Sequence, residues 1–285
     1  MRQRPPPLLH RFSASVTVLG ALAILLSCSR GAHAPSPATA FAARTTDAKG
    51  GPALYAAVHV DHLQAGGLWR FTEARRRWVD ALSRAATTDG RGLYMQTGDS
   101  GFLSLRPLHS MSDLDRQSAL ITQALAAVDP AEQRKYDGAS DALLAPPHRN
   151  EIWRFDADLS FGTSDPMAAL TESAWGKMTV EELDPTPAGE DYEKAWKEIR
   201  EALTKEEYPL VRVAYWSRYG SGNLVTLWLS KSQTEFLRTP SVDAVVTRAL
   251  GPERALPLLA RLHKAVLASD SVDIVPRLDL SSKAL

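Results

Sequence analysis

The chain of 285 residues balances 33 Lys plus Arg against 33 Asp plus Glu, and 44% of it is hydrophobic against 23% charged. A neutral chain lacks the broad positive field that neutralises a phosphate backbone, so nucleic acid is not expected as a partner. The one cysteine, Cys28, excludes a disulfide framework, and a large apolar core must hold the fold together.

The N-terminal segment has the parts of a signal peptide. Arg2, Arg4 and Arg11 form a basic start, the stretch from Val16 to Leu26 is apolar apart from Thr17, and small residues follow. This core is shorter than the about 20 apolar residues a bilayer-spanning helix needs. Cys28 directly follows Leu25-Leu26-Ser27, a run that resembles the lipobox of bacterial lipoproteins. The resemblance implies removal of residues 1–27 and lipid attachment to the Cys28 sulfur. Ala32-His33-Ala34 offers an ordinary secretory cleavage site instead. Residues 28–52, rich in Ala, Ser, Pro, Thr and Gly, bury too little apolar surface to order and read as a flexible tether. The expected protein is therefore exported and held to the cell envelope by a lipid, with a soluble secreted or periplasmic form as the alternative.

A first module is expected over residues 53–164. Leu54 to His62 alternates as a strand, Gly66-Gly67 breaks the chain, and Leu68 to Ala86 spaces Phe71, Ala74, Trp78, Ala81, Leu82 and Ala85 as one face of a helix. Arg75, Arg76 and Arg77 are expected to be largely solvated. Strands Leu93 to Thr97 and Phe102 to Arg106 meet at the turn Gly98-Asp99-Ser100-Gly101. Helices are predicted over Met111–Val128 and Pro130–Leu144, and a last strand over Glu151–Leu159.

A second module over residues 174–281 repeats that order. It reads as strand Lys177–Leu183, helix Gly189–Thr204, strands Val211–Ser217 and Leu224–Leu229, helices Ser241–Leu250 and Pro252–Ala268, and strand Val272–Leu280. The chain also matches itself at a constant offset of 121, which lays Phe71 on Tyr192, Tyr94 on Tyr215, and Asp158-Leu159-Ser160 on Asp279-Leu280-Ser281. Each module is thus βαββαβ, a ferredoxin-like unit with helices on one face of a four-stranded antiparallel sheet. The predicted class is α+β, with two tandem modules whose uncovered sheet faces bury each other.

The order strand, Gly-containing turn, helix with Phe71 and Trp78 inward, hairpin, helix and final strand resembles the dimeric α/β-barrel superfamily, which includes NIPSNAP-like proteins and antibiotic-biosynthesis monooxygenases. The resemblance implies a tandem pseudo-dimer whose sheets form one barrel. It implies no single activity, because such folds host cofactor-free oxygenases, haem proteins and others.

With the apolar strand positions assigned to the helices, the cavity-facing set of the first sheet is His59, Asp61, Tyr94, Gln96, Ser104, Arg106, Arg154 and Asp156. The second sheet offers a mostly apolar counterpart that includes Val180 and Tyr215. His59, Asp61, Tyr94, Gln96, Arg106, Arg154 and Tyr215 are the candidate ligand-binding residues, with Asp61 close enough along the strand to orient His59 as a general base. Arg154 and Asp156 can equally form a structural ion pair. His62 points to the other face, and His109, His148 and His263 read as solvated residues of loops and a helix, so no third ligand and no metal site is expected. Gly98-Asp99-Ser100-Gly101 is a turn rather than a nucleophile motif.

The expected role is non-enzymatic, the binding of a small amphipathic ligand or an envelope protein in or beside the barrel cavity, with no cofactor. The alternative is a cofactor-free or haem-dependent monooxygenase-like enzyme using that cavity.

Overall fold

The computed structural model describes residues 53–88, 90, 92–185 and 187–282. The expected signal peptide, Cys28 and the tether lie outside the described residues. The first half runs β1 (Tyr55–Leu63), α1 (Leu68–Arg84), β2 (Leu93–Thr97), β3 (Gly101–Leu108), α2 (Asp113–Ala127), α3 (Pro130–Leu143) and β4 (Leu144–Phe155). A short α4 (Pro166–Glu172) leads into β5 (Trp175–Leu183), α5 (Pro187–Lys205), β6 (Val211–Tyr219) and β7 (Leu224–Ser230). Then come α6 (Gln233–Arg238), α7 (Val242–Leu250), α8 (Pro252–Lys264), β8 (Val266–Pro276) and a 3-10 turn at Leu278–Leu280.

The strands close into one antiparallel barrel in the order β1-β3-β2-β8-β5-β7-β6-β4. Each half supplies a ferredoxin-like sheet, β4-β1-β3-β2 or β6-β7-β5-β8, and the seams are β2 on β8 and β4 on β6. Closure leaves no unpaired sheet edge, the hazard of an open sheet. The α+β pseudo-dimeric barrel is therefore the fold.

The two faces of the first sheet are the reverse of the sequence-based assignment. Val58, Leu93, Met95, Leu103, Leu105 and Trp153 point into the lumen, where they pack with Val213, Tyr215, Val225, Leu227, Leu229 and Ile274 of the second half and with Leu170 of α4. The lumen is an apolar core. Tyr94 and Phe102 instead face outward to Phe71 of α1, with Leu63, Leu143 and Leu280. Two closed sheets exclude water more completely than helices laid over an outer wall do, so the polar alternates go to the wall.

Arg75 also departs from expectation, being fully buried. Its guanidinium lies 4.2 Å over the Tyr94 ring and its Nε donates to the Leu280 carbonyl at 3.0 Å. The second half has the same device with the partners exchanged: Arg212 on β6 lies 3.8 Å over Trp196 on α5, and it donates to the Leu159 carbonyl.

β4 begins seven residues before the predicted strand, at Leu144 rather than Glu151. Pro146, Pro147 and the exposed polar residues after them read as a loop, yet they run beside β1 around a shift in register between Val60 and His62. β8 likewise begins at Val266, inside the predicted last helix, because its exposed run Ser269-Asp270-Ser271 carries no apolar alternation. The helices α4 and α6 were not predicted. Asp165 caps α4 by accepting from the Met167 and Ala168 amides with Pro166 at the first helical position, a start signal legible in the sequence.

Candidate functional site

The site lies on the outer wall of the first half, where β1 passes β4. Since Val58 and Val60 face the lumen, His59 and Asp61 face out. His59 pairs with Asn150 and Val60 with Arg149, but His62 pairs with Ala145. The register of Val60 with Arg149, carried one step further, sets His148 opposite Asp61, and the two extra residues of β4, Pro146 and Pro147, fall between His148 and Ala145.

Asp61 is the hub. Its Oδ1 lies 2.8 Å from His59 Nε2 and 3.0 Å from His148 Nδ1. The two imidazoles are nearly parallel, 4° apart with centroids separated by 6.1 Å. The Asp61 side chain is 7% exposed, against 30% for His59 and 39% for His148. A buried carboxylate therefore sits beneath two rings that reach water.

His59 Nδ1 donates to the Asn150 side-chain oxygen at 2.8 Å, since an amide oxygen only accepts. In a neutral ring the proton is then on Nδ1, and the Nε2 lone pair faces a carboxylate oxygen. Two such electron-rich atoms at 2.8 Å require a positive charge between them. That charge is a second ring proton or a metal ion. The ligand atoms of His59, Asp61 and His148 all lie within 4.8 Å of one another. The expectation that no third ligand exists is thus corrected: His148 stands on β4, not on a loop.

The second half lacks this arrangement. Thr179 pairs with Ser271 where His59 pairs with Asn150, their hydroxyls 2.9 Å apart. Glu181 stands where Asp61 does and accepts from the Tyr192 hydroxyl at 2.9 Å. Ser269, opposite Glu181, takes the place of His148. The first strands therefore align at an offset of 120 (59 to 179), and the offset of 121, which laid His59 on Val180, turns each side chain to the wrong face.

The other candidates are scattered. Tyr94 lies in the outer core beneath Arg75. Gln96 accepts from Arg277 at 3.1 Å and donates to the Gly98 carbonyl at 3.0 Å. Arg106 is half-buried on β3 opposite Ala57, and Arg154 lies 4.0 Å from Asp156. Tyr215 alone is in the lumen, its ring 5.7 Å from that of Trp153. Burial first, and then the Asp165 carboxylate, raise its phenol pKa. Sequence reasoning missed His148 and Asn150, whose closeness to His59 arises only from strand pairing.

Haem does not fit the residues present. The lumen is filled by side chains in mutual contact, and His59 and His148 point away from it. Two outer cavities, of about 410 Å³ between α1 and α3 and about 640 Å³ beside Glu182 and Trp216, are lined by no histidine. Among the described residues no helix is long and apolar enough to cross a membrane.

No family model and no curated protein matches the chain. Among solved structures it is similar to a candidate monooxygenase from Fusobacterium nucleatum subsp. nucleatum, with 9% identity, 79% of this chain and 93% of that one covered, and a TM-score of 0.48. It is also similar to a chlorite dismutase variant from Candidatus Nitrospira defluvii, with 9% identity, coverages of 79% and 91%, and a TM-score of 0.43. A haem-binding protein from Thermus thermophilus has 12% identity, coverages of 82% and 96%, and a TM-score of 0.42. The likeness is one of fold; these structures are described as a monooxygenase, a chlorite dismutase and a haem-binding protein, and the expectation of a non-enzymatic binding protein is not carried further.

Proposed function

We propose that the chain is a monooxygenase-like oxidoreductase working at the outer wall of the first half, and not in the lumen. The observation that carries this reading is the buried Asp61 carboxylate, which orients two solvent-reaching imidazoles at 2.8 and 3.0 Å. Such an arrangement suits proton removal from an acidic hydroxyl: His148, whose Nδ1 faces Asp61, takes the proton on its Nε2, and the carboxylate stabilises the cation that forms. The resulting electron-rich anion is the species that reacts with oxygen. The replacement of His59 and His148 by Thr179 and Ser269 at the counterpart positions favours one working site per chain.

The test is oxygen uptake with electron-rich phenols that donate their own electrons. Asp61→Asn is expected to lower the rate at least about 100-fold, the range of a lost general acid or base. Equal rates in the variant and the native protein, or no turnover of any phenol in the panel, would overturn the reading. Export with a lipid on Cys28 is proposed alongside it, on the run Leu25-Leu26-Ser27 ahead of a lone cysteine. A mature N-terminus at Pro35 by mass spectrometry would refute that part.

A further inference from the structure

We infer that His59 Nε2, Asp61 Oδ1 and His148 Nδ1 hold a divalent first-row transition-metal ion. This deepens the reading above and rests on its location of the site. The separations fit neighbouring ligands of one ion. Ligands about 2.1 Å from an ion and at right angles to one another stand about 3 Å apart. The observed 2.8 and 3.0 Å from Asp61 Oδ1 to the two ring nitrogens are those of adjacent ligands. A proton-only network must instead aim two ring N–H groups at one carboxylate oxygen.

The surroundings agree with the ligand set. Asn150 accepts from His59 Nδ1 at 2.8 Å, which fixes the tautomer that turns the Nε2 lone pair toward an ion, the usual outer contact of a metal-bound histidine. Asp61 brings a buried carboxylate, and the exposed sides of both rings leave positions open to solvent. Two imidazoles and one carboxylate with open positions favour iron(II), cobalt(II) or zinc(II) over calcium or magnesium, which prefer oxygen ligands. The pairing of β1 with β4 sets His148 opposite Asp61 and Asn150 opposite His59.

Untagged protein stripped by a chelator is titrated with Co²⁺ alone, followed by visible absorption and by calorimetry. The expected result is one ion per chain, with visible bands of cobalt bound to nitrogen and oxygen. His148→Ala and Asp61→Asn should each weaken binding at least about 100-fold, and Asn150→Ala about 10- to 100-fold, the cost of losing an outer-contact partner. Asn150 is exposed, so its variant folds whether or not the others do. Stoichiometry near zero in the native protein, or an affinity unchanged by all three substitutions, overturns the inference. If Asp61→Asn abolishes phenol oxidation in a protein that binds no Co²⁺, the metal falls and the acid–base site stands. If Co²⁺ binds through these residues and no phenol is oxidised, the metal stands and the oxidoreductase reading falls.

Discussion

A charged residue can occupy the core when the geometry supplies partners, and Arg75 shows how. The run Arg75-Arg76-Arg77 reads as a solvated face, but Arg75 falls four residues after Phe71 and three before Trp78, on the apolar stripe of α1. Periodicity placed it inward and charge alone argued otherwise. Tyr94 receives its guanidinium face-on and the Leu280 carbonyl accepts a hydrogen bond from its Nε. Arg75→Ala leaves that buried carbonyl without this donor, a penalty of about 1–3 kcal/mol, and opens a cavity against Tyr94 that adds to it. A loss of about 3 kcal/mol or more in urea unfolding is expected, while Arg77→Ala, a change at an exposed position of the same helix, should stay within about 0.5 kcal/mol. Equal midpoints for the two variants would show that Arg75 contributes no more than its surface neighbour. At the site, by contrast, only His59 and Asp61 were legible, because two-residue alternation puts them on one face. His148 lies 87 residues from Asp61 in sequence and meets it through the pairing of β1 with β4, which no local pattern announces.

The repeated run Asp-Leu-Ser has a structural explanation at the level of elements. Each copy follows the last strand of its own half and docks onto the other half. After β8, Leu280 enters the outer core beside Phe71 and Tyr94, and the Ser281 hydroxyl accepts from the Tyr94 amide at 3.0 Å. After β4, Leu159 packs with Tyr192 and Trp196, and the Ser160 hydroxyl accepts from the Ala214 amide at 3.0 Å. The tails are exchanged, as between the subunits of a dimer. Their aspartates differ, however. Asp279 accepts from Arg277 at 2.8 Å and from Arg76 at 2.9 Å, and these bonds, that from Arg277 foremost, lower its pKa to about 2. Asp158 is 99% exposed and only 3.9 Å from Arg200. A carboxyl group whose folded-state pKa is depressed adds stability above its unfolded pKa of about 4, and that stability is lost as the pH falls toward 2. Because Asp279 is 42% exposed, solvent screening reduces the contribution to about 1 kcal/mol. Asp279→Asn should therefore lower stability by about that amount at pH 7 and by progressively less between pH 4 and pH 2, read from urea midpoints across that range. Asp158→Asn, a change at an exposed position, should stay within about 0.5 kcal/mol at pH 7.

For the molecule as a whole, duplication and the βαββαβ order were legible because aromatic, turn and strand-end positions recur along the chain. The direction in which each strand faces was not. In the usual half-covered sheet the apolar alternates meet the helices, and here both faces are covered, so alternation alone does not say which side is the lumen. The structure decides it by joining Val58, Leu93, Met95, Leu103 and Leu105 to the apolar face of the second half. It follows that neither half is complete by itself. A chain ending at Ser164 would present that apolar face to water and leave β2 and β4 without their partners β8 and β6. An apolar patch of that kind flanked by two open edges drives association. The first half alone is therefore expected to dimerise, rebuilding a barrel from two copies, or to precipitate. Size-exclusion chromatography with light scattering distinguishes these from the remaining outcome, a soluble monomer that unfolds cooperatively, which would mean that the outer helices suffice and that the lumen is not the core on which the fold depends.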